Sequence, residues 1–336
     1  GCMSALSSAD DPRGLEQFLA NRGWLPDGAR VVEAQRAGDG NMNLTLRVRW
    51  RTPDGALDSA ILKHARPWVE KYPDIPAPAH RIIVEADFYR LVTADPVLEG
   101  GMPTFHAVDE DDCAALLEDL GDAGDYTGIY AGAHLVDEDL AALLVWLGRL
   151  HTLDVDRDRW PRLANRELRA MNHAQQFTVP LGEGPEGTGA PDADGFCDGL
   201  ARKARLVRSD ARVRRRMREL GEVYLADGKQ LLHGDFHPGS WLKTAAGPRI
   251  IDPEFAFFGP PEYDLGVFVA HLKFARDDAH SLDAYRAHPP LDTGLRDAFT
   301  GMELIRRLIG IAQLPLPAGL AMRERWLDEG VALLTD

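Results

Sequence analysis

The sequence predicts an α+β chain of two lobes, a small β-rich lobe over residues 1–120 and a larger helical lobe over residues 121–336. A length of 336 residues suffices for two packed lobes. Runs with strand character crowd the region before Gly121, and beyond it nearly every strongly periodic segment repeats at helical spacing.

Gly14 to Arg22 places apolar residues at helical spacing, and Gly23 closes this short leading helix. Arg30 to Arg36 and Asn43 to Trp50 read as strands. They are joined by Ala37-Gly38-Asp39-Gly40-Asn41, a turn whose glycines permit positive φ. After a second turn at Pro53-Asp54-Gly55, Ser59 to Lys63 is a third strand and His80 to Thr93 a helix. Ala114 to Leu117 is a short apolar strand, and the lobe boundary falls near Gly121. Leu135 to Leu153 is helical. Arg202 to Arg218 reads as one helix with a solvated basic face and Leu206, Val207, Val213 and Met217 inward. Thr178 to Gly195 is dense in Gly and Pro and is expected to be a mobile loop over the site.

Composition narrows the partners. Hydrophobic residues at 45% and charged residues at 27% describe a globular enzyme with a buried core. A net charge of -15 argues against binding nucleic acid, which needs clustered Lys and Arg to release counterions. Cys2, Cys113 and Cys197 lack metal-site or disulfide-framework spacing, which fits a reducing cytoplasm. No apolar run reaches the roughly 18 residues of a spanning helix, and Gly1 to Pro12 is polar and acidic, so no membrane partner is expected. The expected state is a monomer or homodimer.

The chemistry concentrates between Leu231 and Glu254, LLHGDFHPGSWLKTAAGPRIIDPE: a loop with His-x-Asp, an apolar strand, then Asp252 at its end. Phosphoryl transfer needs a carboxylate to orient the attacking hydroxyl, cations on the phosphates and acidic ligands for Mg²⁺. Asp235 and Asp252 are candidates for the two carboxylate roles. The plainer alternative has Asp235 capping a turn, and His233 reads as a core histidine. Lys63 ends a strand and Glu85 opens the following helix, the order required for an ion pair that steadies a phosphate-binding lysine. Asp252 and Glu254 can both face a metal if the backbone bends at Pro253. Glu303 to Gly310 is an apolar helix interrupted by Arg306 and Arg307, which project about 100° apart, so one should point inward. The alternative is two surface arginines paired with nearby acids.

These pieces together resemble the aminoglycoside phosphotransferase and choline kinase superfamily, which has a bilobal protein-kinase-like fold. Within it, Gly38-Asp39-Gly40-Asn41-Met42-Asn43, Gly239-Ser240, Asp252-Pro253-Glu254 with the following Phe255-Ala256-Phe257-Phe258-Gly259-Pro260, Glu262-Tyr263-Asp264-Leu265-Gly266 and the twin arginines are similar to methylthioribose kinases. The resemblance implies that the hairpin with Gly38, Asp39, Gly40, Asn41 and Asn43 covers the phosphates. It implies that Lys63, held by Glu85, meets the α- and β-phosphates. Glu118, Asp119 and Leu120 would offer backbone groups to the base of ATP or GTP. Asp235 would be catalytic, Asp252 and Glu254 would hold Mg²⁺, Asp264 would support the catalytic loop, and Arg306 and Arg307 would meet substrate and transferring phosphate. Ser240 stands where kinase loops usually carry Asn, a departure that bears on a second metal.

The implied activity is transfer of a nucleotide γ-phosphate to a hydroxyl of a small molecule, sugar- or nucleoside-like and resembling methylthioribose. Two alternatives stay open. An antibiotic-inactivating O-phosphotransferase would draw on the acidic stretches Asp109 to Asp112 and Asp137 to Asp139 to attract a cationic drug. A non-catalytic pseudokinase is argued against by Lys63, Glu85, Asp235 and Asp252 together, and for by Ser240.

Overall fold

Asp11 starts the first helix by accepting the Gly14 N–H at 2.9 Å, which satisfies a donor that the helix itself leaves unpaired. The computed structural model describes residues 11–38, 42–122, 124–185, 188–277, 281–286 and 289–336. The chain divides into two compact units, one of residues 1–124 with 249–254, the other of residues 125–248 with 255–336.

In the first unit the elements run α1 (Pro12–Asn21), β1 (Arg30–Arg36), β2 (Leu44–Arg51), β3 (Leu57–His64), β4 (Trp68–Val69), β5 (Tyr72–Pro76), α2 (Arg81–Val92), α3 (Pro96–Gly100), β6 (Phe105–Asp109) and β7 (Ala114–Glu118). Five strands form an antiparallel sheet in the order β1-β2-β3-β7-β6. Leu15, Phe18 and Leu19 of α1 fall on one helical stripe and cover the sheet face made by Val31, Leu44, Leu46, Val48, Ala60, Leu62 and Leu116. Side chains alternate along a strand, so Lys63, next to the core residue Leu62, faces the opposite side. There α2 is buried all round except at Arg90, with Tyr89 stacked on Phe105.

The second unit contains α4 (Asp137–Thr152), α5 (Arg166–His173), α6 (Leu200–Ser209), α7 (Ala211–Leu225), β8 (Gln230–Leu232), β9 (Trp241–Thr244), β11 (Phe257–Gly259), α8 (Pro261–Phe274), α9 (Thr293–Ile309) and α10 (Leu320–Thr335); β10 (Gly247–Ile250) runs across the division. The architecture is thus α+β, with the sheet in the first unit and most helices in the second. Phe236 lies in an aromatic cluster, stacked on Trp146 at 5.8 Å and packed against Trp241 and Phe268. Helices α9 and α10 approach so closely that a Cβ at Gly301 would sit 2.4 Å from the Gly330 carbonyl oxygen. Among the described residues no helix is long and apolar enough to cross a membrane.

Two expectations are corrected. The basic run is two helices, because the Asp210 side chain accepts from Arg212 N and Val213 N and caps α7. This break resets the helical phase: Val207, Val213 and Met217 are buried, but Leu206 is 60% exposed. The Gly- and Pro-rich stretch from Thr178 is partly anchored: Val179, Pro180 and Leu181 are buried, and the carbonyls of Pro180 and Pro191 accept from Arg208. Composition carries no mark of this guanidinium.

Asp210→Ala should lower the unfolding free energy by about 0.5–2 kcal/mol, measured by urea denaturation, as loss of a cap does. An uninterrupted helix would instead gain from alanine in its interior.

Candidate active site

In the first unit, Lys63 Nζ donates to Glu85 Oε1 and to Asp252 Oδ1, both at 2.6 Å. Burial pushes the ammonium toward its neutral form, but Asp252, Glu85 and Glu254 outweigh burial and keep it firmly charged. The Glu85 carboxyl is raised by burial and by its neighbour Asp252, against the pull of Lys63. Glu254, 4% exposed, is likewise raised by burial, Glu85 and Asp252. Three carboxyls thus compete for one ammonium and ionisation of the two glutamates is disfavoured; a hard divalent cation with oxygen preference would relieve that crowding. Among the described residues no three His, Cys, Asp or Glu side chains form a metal-binding group. Asp252 and Glu254 would therefore supply part of a coordination shell, with water and phosphate oxygens completing it.

The backbone arranges those acids. Asp252 adopts φ 57°, a left-handed conformation that costs a non-glycine residue about 1–2 kcal/mol, and a short turn begins at Pro253. Ile250 N donates to Gly101 O at 2.7 Å, tying the segment to the first unit. Asn43 uses both ends of its amide: Nδ2 donates to Glu254 Oε2 at 2.7 Å and Oδ1 accepts from Arg81 Nε at 2.8 Å. Arg81, fully buried, also donates to the carbonyls of Met42, Arg66, Trp68 and Pro78. Asn43, expected at the nucleotide, is thus turned to protein partners and positions Glu254. Gly38 has φ 68°, while Asp39, Gly40 and Asn41 lie outside the described residues. Glu118 Oε1 accepts from Thr104 N, and Asp119 accepts from Arg47, Ser59 and Gly121 N. Their side chains fix the segment around Leu120.

In the second unit, the catalytic-loop candidate hangs on Asp264. Its fully buried carboxylate accepts from His233 N at 2.8 Å, Gly234 N at 3.0 Å and His151 Nε2 at 2.8 Å. Gly234 has φ 86°, and a Cβ there would lie 2.1 Å from Phe255 O, so only glycine fits. His233 is fully buried and its Nδ1 accepts from Asp235 N, in keeping with a structural histidine. Ser240 Oγ donates to Asp235 O at 2.9 Å, so this hydroxyl braces the loop.

Asp235 retains 22% of its side-chain exposure, with His237 Nε2 at 3.4 Å and Arg307 Nη2 at 3.7 Å from its Oδ1. Burial works to raise the carboxyl's pKa, but His237, then Arg307 and Arg306, overcome it and hold the group below the usual carboxylate range. Arg306 and Arg307 are both buried, at 6% and 5% exposure, where only one was expected inward. Glu303 explains this: its two oxygens take Arg306 Nε at 2.8 Å and Arg307 Nε at 2.7 Å.

A model of the phosphotransferase enzyme family, APH, matches residues 33–297, most of the chain. The chain belongs to that family. It is similar to a methylthioribose kinase of Exiguobacterium sibiricum, 28% identical in an alignment of 334 positions that covers 85% of this chain and 81% of the relative. A methylthioribose kinase of Geobacillus thermodenitrificans is 26% identical, covering 96% and 90%. Among solved structures, an ethanolamine kinase of Plasmodium vivax aligns with a TM-score of 0.53 at 11% identity, over all of this chain and 90% of the other, which supports the kinase-like fold. The chain is therefore a phosphotransferase acting on a hydroxyl acceptor, with kinase-like α+β architecture.

Sequence reasoning missed several residues of this phosphotransferase. His271, fully buried, is held neutral, its pKa driven down to about 3 by burial. Its Nε2 therefore donates to Glu303 Oε1 at 3.0 Å, and its Nδ1 accepts from the Tyr130 hydroxyl at 2.6 Å. Glu303 itself, drawn well below the usual range by the two arginines despite burial, stood in the sequence only as the start of an apolar helix. Its spacing of three and four residues from Arg306 and Arg307 was the available signal.

Glu303→Ala should cost about 3–5 kcal/mol in chemical denaturation, because it strands two buried guanidinium groups. A surface pairing would cost under about 1 kcal/mol. Gly234→Ala should lose more than about 1–3 kcal/mol through backbone strain alone, read as a fall in thermal midpoint.

Proposed function

We propose that this phosphotransferase is a small-molecule kinase that moves the γ-phosphate of ATP or GTP onto a hydroxyl of a sugar- or nucleoside-like metabolite of the methylthioribose type. The observation that carries the reading is Asp235, an ionised carboxylate flanked by Arg307 and set on a rigid loop. The relatives named methylthioribose kinases, similar over most of both chains, support the acceptor class.

In this mechanism Asp235 accepts a hydrogen bond from the acceptor hydroxyl and takes its proton as the oxygen bonds to the γ-phosphorus. The bond from that phosphorus to the β,γ-bridging oxygen breaks, and the nucleoside diphosphate leaves. Lys63, kept charged between Glu85 and Asp252, meets the donor phosphates. Arg306 and Arg307 offset the negative charge that spreads over the transferring group. Asp252 and Glu254 would hold Mg²⁺, which would supply positive charge to the donor phosphates. The backbone around Glu118, Asp119 and Leu120 would meet the base. The proposed setting is a cytoplasmic enzyme.

A transfer screen over methylthioribose, nucleosides, choline and aminoglycosides with ATP and GTP tests this. One sugar- or nucleoside-like compound should gain phosphate, and chelation by EDTA should abolish the transfer. Phosphate on an aminoglycoside alone would make the chain a resistance enzyme. Nucleotide binding with no acceptor phosphorylated would leave a pseudokinase. Asp235→Asn should fold and bind nucleotide normally while kcat falls about 10²- to 10⁴-fold; near-normal turnover overturns the assignment.

A further inference from the structure

We propose that His237 is a positioning residue for Asp235: it engages one carboxylate oxygen so that the other is presented to the acceptor hydroxyl. The inference rests on the kinase reading above and assigns the two oxygens of its central carboxylate different tasks.

The ring's protonation pattern follows from its backbone partner. Gly239 N donates to His237 Nδ1 at 3.2 Å, so Nδ1 carries a lone pair and the proton of the neutral ring sits on Nε2. That nitrogen lies 3.4 Å from Asp235 Oδ1. The contact is long for a hydrogen bond, as such contacts often are before substrate binds. Arg307 Nη2 approaches the same oxygen at 3.7 Å, and among the described residues no hydrogen bond is made to Oδ2. One oxygen thus has two donors nearest to it, and the other keeps its lone pairs to offer an incoming O–H.

The ring is held rather than merely near. His237 N donates to Asp235 O at 3.1 Å, and His237 O accepts from Ser240 N at 2.8 Å, closing the loop on itself. One ring face stacks on His271 with centroids 5.2 Å apart and planes inclined by 28°. His271 is in turn fixed between Tyr130 and Glu303. Among the described residues the charged and titratable groups around the pair include Arg306, Arg307 and Glu303 of α9, His271 and Tyr263 of α8, and Tyr130 before α4. A neutral His271 beneath the ring adds no repelling charge.

His237→Phe keeps a ring but removes the donor, and His237→Gln places an amide N–H near the position of Nε2. His237→Phe should lower kcat about 10- to 100-fold, with KM for nucleotide and acceptor changed by less than about twofold, as loss of an interaction made at the reacting group does. Without the donor Asp235 protonates more readily, so the acid limb of kcat should move to higher pH. His237→Gln should recover most of both effects. Independently, nitrogen NMR of the histidine-labelled wild-type protein, without nucleotide or acceptor, should show His237 protonated on Nε2 and bare on Nδ1. Wild-type kcat in His237→Phe, equal loss in both variants, or a proton on Nδ1 overturns the proposal. The tautomer measurement decides it even if no acceptor is found, which separates its failure from failure of the kinase reading.

Discussion

The loop that carries Asp235 depends on the buried carboxylate of Asp264. A buried polar group is tolerable only when its lone pairs are met, and here two backbone N–H groups and a histidine ring nitrogen meet them. Two of those donors, at His233 and Gly234, belong to residues immediately before Asp235, so the carboxylate dictates where the next side chain emerges. His151 is steadied from behind by Tyr285 at 2.8 Å, which leaves the anchor little freedom to rotate. The left-handed Gly234 is the steric counterpart: the loop can pass so close to Phe255 only where no Cβ exists.

The two units carry opposite electrostatic imbalances. In the first, Glu85, Asp252 and Glu254 crowd Lys63, and burial raises the pKa of the two glutamates. In the second, Glu303 binds two guanidinium groups with one carboxylate, and the remaining positive field keeps Asp235 ionised. A carboxyl-rich cluster and a cation-flanked carboxylate suit the proposed phosphoryl transfer, which asks a protein to contribute charge and position more than covalent chemistry.

How much of this was legible in the sequence depended on range. The stretch from Leu231 to Glu254 announced itself because its chemistry lies in consecutive residues, and the alternation in β2 matched its half-buried strand. The pairing of Lys63 with Glu85 was inferred from order alone, and the two side chains do meet. What was hidden depends on distant partners. Arg81 looked like the first turn of an ordinary helix, since the carbonyls of Met42, Arg66 and Trp68 that receive it carry no sequence mark. Tyr130 and His271 are 141 positions apart, and nothing local to either predicts the bond. The division of the basic run was legible in principle, because Asp is a preferred helix cap, but apolar periodicity on both sides of Asp210 masked it.

The short stretch 249–254 belongs to the first unit although its neighbours on either side belong to the second. The chain therefore passes from one unit to the other at Gly124–Asp125, at Pro248–Arg249 and again at Glu254–Phe255. No single cut divides it into two self-sufficient pieces: a fragment beginning at Asp125 would carry Asp252 and Glu254 away from Lys63, Asn43 and the Gly101 carbonyl that fix them. The threading places Asp252 and Glu254 in the first unit although the chain enters and leaves them from the second. Two separate stretches of chain therefore have to be in place before the first unit is complete, which ties its folding to that of the segment between them.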